Sequence, residues 1–202
     1  MKLPSHFYAI VDPSAGHELV ELAHILLDAG ARILQLRLKE TTGRDFLAAA
    51  IGIARMCRQR GATFVVNDRI DIAMLSDADG VHLGQKDLPL QEGRRLMGPD
   101  KIIGISTASV EMARAAEAGG ADYIGFGPMY QGGLKNIKVG QGLDNLRAVR
   151  AAVKLPIVAI GGITEATMPD VLSAGADAAA IITDVIKARD IAAKVRALLR
   201  GQ

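Results

Sequence analysis

Residues 64–87 read FVVNDRIDIAMLSDADGVHLGQKD, and their order decides the fold. The apolar run Phe64-Val65-Val66 stops at Asn67-Asp68-Arg69. Residues 70–76 have the spacing of a short helix. A second short run, Gly80-Val81-His82-Leu83, ends at Gly84-Gln85-Lys86-Asp87. Strand, helix and strand make a βαβ unit, and each strand delivers polar groups where it ends. In a parallel barrel that edge is where chemistry sits. Neighbouring strands lie about 4.8 Å apart, so Asp68 and Asp87 are expected to converge on one hard cation. Two carboxylates facing substrate phosphates is the usual way to hold Mg²⁺. The plainer reading is that Asp68 caps the following helix.

Working outward, residues 32–39 (RILQLRLK) alternate strictly. Leu34, Leu36 and Leu38 take one face; Gln35, Arg37 and Lys39 take the other. Strands of a parallel sheet are normally apolar on both faces. Two cations and an amide in one row therefore point to an anion at a barrel mouth, or else to a wetted edge strand. Further strands are expected at 7–11, 101–106, 121–126, 156–160 and 178–182. Helices are expected at 18–28, 45–58, 88–97 with Pro89 at the first helical position, 110–117, 143–153, 166–174 and 188–199. Gly-Ala-Asp recurs at 120–122 and 175–177, with Asp-Ala-Asp at 77–79, each before a strand. We read this as an echo of one helix-to-strand turn. Eight alternating βα units in 202 residues predict a single-domain α/β protein over 1–202, a (β/α)₈ TIM barrel. An open doubly wound sheet would want a ligand fingerprint at the first βα turn, and Asp12-Pro13-Ser14-Ala15-Gly16 is not one.

Composition narrows the function. Lys plus Arg total 24 and Asp plus Glu total 22, a net charge of +2. With no basic run, neither nucleic acid nor an anionic membrane is an expected partner. No apolar run reaches the ~18 residues of a membrane span. The N-terminus lacks a signal-peptide core, and the single cysteine, Cys57, reads as helix core rather than nucleophile. A cytoplasmic protein acting on small molecules is expected; the oligomeric state, including a homo-oligomer, stays open. Aromatics are scarce, at 3%, and those near strand ends are Phe126 and Tyr130.

Barrels often bind phosphate with backbone N–H groups of the loops after strands seven and eight. Gly161-Gly162 follows strand seven and Thr183 follows strand eight. Asp184 beside Thr183 would repel a phosphate unless it points away or is paired. The Gly-rich loop after strand six carries Lys135 and Lys138, which suits an anion-closing lid or a solvated loop equally.

These segments together resemble the thiamine-phosphate synthase family over nearly the whole chain. The likeness rests on QLRLK at 35–39, Asn67-Asp68-Arg69, GVHLGQKD at 80–87, IGIS at 103–106, GPMY at 127–130 and VAIGGI at 158–163. The resemblance implies joining of hydroxymethylpyrimidine diphosphate to thiazole phosphate, giving thiamine monophosphate and diphosphate. It implies Mg²⁺ on Asp68 and Asp87. Gln35, Arg37, Lys39, Asn67 and Lys135 would surround the diphosphate or pyrimidine, with Arg37, Lys39, Lys135 and Ser106 serving catalysis. Ser106 would touch the pyrimidine, and Gly162, Ile182 and Thr183 would hold the thiazole phosphate. His82 reads as an orienting, hydrogen-bonded residue.

The chain departs from the family twice. Gly132-Gly133-Leu134-Lys135 stands where the family carries Thr-x-Thr-Lys, and Ala108 stands where histidine is frequent. The latter counts against the related thiazole tautomerases. A binding paralogue without turnover is the main alternative to a synthase.

Overall fold

The computed structural model describes residues 2–131 and 140–200. Eight parallel strands close into a barrel in sequence order. They are β1 (Phe7–Val11), β2 (Ile33–Leu36), β3 (Thr63–Asn67), β4 (Gly80–Leu83), β5 (Ile102–Thr107), β6 (Tyr123–Phe126), β7 (Ile157–Ile160) and β8 (Ala178–Ile181). The ring is closed by β1 pairing with β8, Phe7 opposite Ala179. Closure removes the edge-strand reading of residues 32–39.

The helices between them are α1 (Leu19–Asp28), α2 (Gly43–Gln59), α3 (Ile70–Leu75), α4 (Leu90–Met97), α5 (Val110–Ala118), α6 (Gly142–Ala152) and α7 (Met168–Ser173). After β8 come α8 (Thr183–Ile186) and α9 (Ile191–Leu199). Two expectations are corrected. Pro89 is the N-cap of α4, one position before the first helical residue. The segment after β8 begins with the four-residue α8, where the sequence predicts no element between the strand at 178–182 and the helix at 188–199.

Alternation along the strands divides the apolar residues into two cores. Phe7, Ala9, Val11, Leu34, Leu36 and Phe126 face the helices. Tyr8, Ile10, Ile33, Tyr123, Val158, Ala178 and Ala180 fill the barrel itself. Large rings at Tyr8 and Tyr123 are accommodated by small residues on neighbouring strands. A Cβ on Gly104 would lie 2.1 Å from Tyr123 Cζ, so a glycine here marks a close approach across the barrel. Cys57 is buried in the outer core, and burial pushes its thiol up to about 12. It packs as an apolar residue and stays protonated.

The recurrent Asp before even strands has a structural role. Asp79 accepts from Phe64 N–H at 2.7 Å, Asp122 from Ile103 N–H at 2.8 Å, and Asp177 from Ile157 N–H at 2.8 Å. Each backbone N–H of these aspartates donates in turn to the carbonyl of the same partner residue, at 2.9 Å. The start of each even strand from β4 onward is thereby tied to the start of the preceding odd strand. Arg94 and Arg150 hold Asp122 and Asp177 from outside, at 2.6 and 3.0 Å. These bonds lie at the N-terminal end of the barrel, away from the rim that gathers the polar strand ends.

Candidate active site

The C-terminal rim opens into a cavity of about 1360 Å³. Gln35, Arg37, Lys39, Asn67, Asp68, Asp87, Ser106, Gly162, Ile182 and Thr183 all line it. Every site residue expected from the sequence is there except Lys135, which lies outside the described residues with Gly132, Gly133, Leu134 and Lys138.

Strand register explains the convergence. Gln35 pairs with Val65 and Leu36 with Val66, so β2 and β3 run level. Asn67 pairs with His82, and Ser106 with Gly125. Where β2 ends, Arg37 N–H still donates to Val11 O at 3.0 Å, which keeps the polar row in line with the strand. The leucines of this row are buried among the helices, as alternation requires.

Arg37 is held by Asp12, which the sequence reading placed only in the first βα turn. Its Nη1 donates to Asp12 Oδ2 at 2.6 Å, and the Asp12 side chain is 3% exposed. Asp12 also accepts from Ser14 N–H at 3.0 Å. The guanidinium is thus fixed at one edge, leaving its remaining donors for an anion.

Asp68 adopts a left-handed backbone, with φ of 65°. Aspartate tolerates this region better than most residues. Its N–H donates to His82 O at 2.8 Å, carrying β3 across to β4. Asp68 does not cap α3: the N-cap is Arg69, with no side-chain cap bond. Instead its carboxylate pairs with the Lys39 ammonium. Asp87 accepts from Gly84 N–H at 2.7 Å. Burial holds the Asp87 carboxyl above the usual range; the Gly84 bond opposes this and the adjacent Asp68 carboxyl adds to it. A carboxyl resisted by a neighbouring carboxylate is one that a shared cation would relieve. The donor set is hard oxygen, which suits Mg²⁺ or Mn²⁺ rather than a thiophilic metal. Among the described residues no third His, Cys, Asp or Glu joins the pair. Further ligands would come from substrate phosphate and water, the pattern usual for Mg²⁺. Beside them Asn67 Nδ2 is buried without a hydrogen-bond partner among the described residues. Such a group costs about 1–3 kcal/mol unless a ligand or water satisfies it.

Across the cavity Gly161 and Gly162 have φ of 100° and 70°. A Cβ on Gly162 would lie 2.9 Å from Tyr130 Cβ. Glycine therefore lets the turn after β7 lie against the β6 loop and keep its N–H groups near the cavity. The question posed by Asp184 is answered by pairing. It accepts from Glu165 N–H at 3.0 Å and faces Lys194 Nζ at 3.4 Å. Lys194 also pairs with Glu165 at 2.8 Å. Lys194 is shared by the two carboxylates, so Asp184 is paired while the cluster keeps one net negative charge.

His82 is buried beneath the rim. Its Nδ1 lies 2.9 Å from Tyr123 OH and its Nε2 lies 2.9 Å from Ser106 Oγ. Burial lowers its pKa to about 4, so it is neutral at pH 7. Gln85 Nε2 donates to Ser106 O at 2.6 Å and ties the β4 loop over β5. The aromatic residues of the cavity are Tyr8 and Tyr123, not Phe126 or Tyr130. Phe126 points outward into the helix layer. The missed residues were Tyr8 within β1 and Tyr123 at the start of β6.

Comparison with known proteins gives a consistent result. The family model described as thiamine monophosphate synthase matches residues 7–185. A thiamine-phosphate synthase of Moorella thermoacetica is 46% identical over 184 residues, covering 91% of this chain and 88% of that protein. One from Methanospirillum hungatei is 47% identical over 190 residues, covering 93% and 90%. Among solved structures, a thiamine phosphate pyrophosphorylase from Pyrococcus furiosus superposes with a TM-score of 0.89 at 36% identity, covering 96% and 93%.

Proposed function

The chain belongs to the thiamine monophosphate synthase family, and from that premise we propose how its residues 1–202 work as one transferase domain. The enzyme condenses hydroxymethylpyrimidine diphosphate with thiazole phosphate, giving thiamine monophosphate and diphosphate. The observation that carries the reading is the meeting of the Asp68/Asp87 pair with the Arg37/Lys39 cations and the Gly161-Gly162 turn in one cavity.

The bond that breaks joins the pyrimidine methylene carbon to the diphosphate oxygen. The bond that forms joins that carbon to the thiazole nitrogen, whose lone pair supplies the electrons. No proton must be removed from the nucleophile, so no strong general base is required. Negative charge grows on the leaving oxygen. Arg37, held in place by Asp12, and Lys39, paired with Asp68, are oriented to meet that charge before it develops, which costs no reorganisation in the transition state. Lys135 adds a third cation in this reading.

Asp68 and Asp87 would hold Mg²⁺, which when bound supplies Lewis-acid neutralisation of the diphosphate. Asn67, with its unsatisfied amide donor, binds a diphosphate or pyrimidine acceptor. Gln35 and Ser106 orient the ring. Gly162, Ile182 and Thr183 seat the thiazole phosphate, so that the thiazole nitrogen faces the electrophilic carbon across the cavity. The thiamine-biosynthetic reading carries with it a cytoplasmic location and small-molecule partners. No described helix is long and apolar enough to cross a membrane.

The test is incubation of the pure chain with both substrates and Mg²⁺, followed by detection of thiamine monophosphate and diphosphate in equal amounts. Asp68→Ala and Asp87→Ala should abolish turnover while leaving the fold intact, and a chelator should do the same to the parent. Product formation unaffected by the chelator would refute the metal assignment. Absence of product from folded, Mg²⁺-supplied protein would refute the synthase reading and leave a binding paralogue.

A further inference from the structure

A line of hydrogen bonds crosses the barrel interior from β2 to β5. Gln35 Nε2 donates to Tyr8 OH at 3.1 Å, and Tyr8 OH meets Tyr123 OH at 2.9 Å. Tyr123 OH meets His82 Nδ1, and His82 Nε2 meets Ser106 Oγ, both at 2.9 Å. The middle members are buried where they line the cavity: Tyr8 and Tyr123 are 1% exposed and His82 is 9%. The end members, Gln35 and Ser106, both line the cavity. The sequence leaves room for the line by design of its small residues. Gly104 admits the Tyr123 ring, and a Cβ on Gly125 would lie 2.9 Å from His82 Cε1.

Each hydroxyl in such a line has one proton to give, and a neutral imidazole has one N–H and one acceptor nitrogen. With every one of these protons used within the line, it has two directions. With Gln35 giving its amide proton to Tyr8, the rest is determined. Tyr8 gives to Tyr123, Tyr123 gives to Nδ1, and the Nε2–H gives to Ser106. The Ser106 proton is then left for the cavity. At the other end Gln35 spends its amide N–H within the line, and its Oε1 is left as an acceptor.

We propose that Tyr8, Tyr123 and His82 are positioning residues that fix this direction, making Gln35 an acceptor and Ser106 a donor toward the pyrimidine. The inference rests on the reading of Gln35 and Ser106 as pyrimidine contacts. The consequence is a chemical filter. A ring that offers an amino donor to Gln35 and a ring-nitrogen acceptor to Ser106 satisfies both ends. The oxo counterpart offers a carbonyl acceptor and a ring N–H donor, and meets like with like at both. A site built of matched polar groups rejects such a mismatch strongly, because its own buried groups are left unpaired.

Two measurements test this. Ring ¹⁵N NMR of the substrate-free protein, with His82→Gln to identify the signals, should show His82 protonated at Nε2 and bare at Nδ1; the opposite tautomer would overturn the proposal. Separately, the binding and kcat/KM of the aminopyrimidine diphosphate are compared with those of its oxo analogue. Tyr123→Phe should lower that preference tenfold or more, and Tyr130→Phe, outside the cavity, should leave it unchanged. Tyr8→Phe replaces Tyr123→Phe if the latter does not fold. A folded variant with an unchanged preference would overturn the proposal. Retained amino preference in binding, with the Nε2 tautomer but no turnover, would support the filter while refuting the synthase reading.

Discussion

His82 should make the protein acid-sensitive in a specific window. Burial lowers its pKa from 6.5 to about 4, the nearby Asp68 carboxylate partly offsetting the shift. In the unfolded chain the imidazole takes up its proton near pH 6.5; in the folded chain it does not until about pH 4. Between those values the unfolded state binds more protons, so stability rises with pH. The contribution is complete above pH 6.5 and is lost as pH falls to 4. Its full size is roughly 3 kcal/mol, from ~1.4 kcal/mol per pKa unit, with a slope near 1.2 kcal/mol per pH unit in mid-window. His82 is only 9% exposed, so little solvent screening reduces it. The assay is urea unfolding from pH 7 to 4 on the parent and His82→Gln, with a chelator present so that metal on the carboxylates does not contribute. Other carboxylates titrate in both proteins and cancel in the comparison. His82→Gln is expected to be less stable at pH 7 and to lose roughly 3 kcal/mol less on acidification. Parallel stability curves for the two proteins would refute the reasoning.

Asp12→Ala strands the guanidinium of Arg37, whose side chain is only 18% exposed. Stability should fall by about 3 kcal/mol, and the KM for the pyrimidine diphosphate should rise about tenfold in steady-state kinetics. Gly162→Ala forces a side chain into φ of 70° and against Tyr130; the KM for thiazole phosphate should rise at least tenfold while that for the pyrimidine substrate moves little. Asp122→Ala removes acceptors for the Ile103 N–H and for Arg94. Thermal and urea unfolding should show a loss of about 1–3 kcal/mol, with kcat and both KM values unchanged.

Five strands were legible as short apolar runs closed by Asp, Asn or Gly, at Asp12, Asn67, Gly84, Gly127 and Gly161, and β2 by its alternation. The residue parity of 32–39 announced which face was wet. Asp68 and Asp87 were legible as a pair because consecutive parallel strands must end side by side. Three features were hidden for physical reasons. Asp12 sits before Pro13 and reads as a turn, and nothing local shows that Arg37, 25 residues on, lies on the neighbouring strand to receive it. Tyr8 and Tyr123 read as core because their rings are core; only closure of the barrel brings their hydroxyls together. The α8 turn is four residues long, Thr183-Asp184-Val185-Ile186, too short for a helical period to show. Phe126 misled in the opposite way. It stands at a strand end, but its parity sends it into the helix layer.

The Asp79, Asp122 and Asp177 bonds join β3 to β4, β5 to β6 and β7 to β8. None of them crosses from β4 to β5. A polypeptide severed between residues 98 and 101 would keep each of the three within a single fragment, since Asp79 and Phe64 fall on one side and the other two pairs on the other. The two halves are therefore candidates for production as separate pieces that recombine into a working whole.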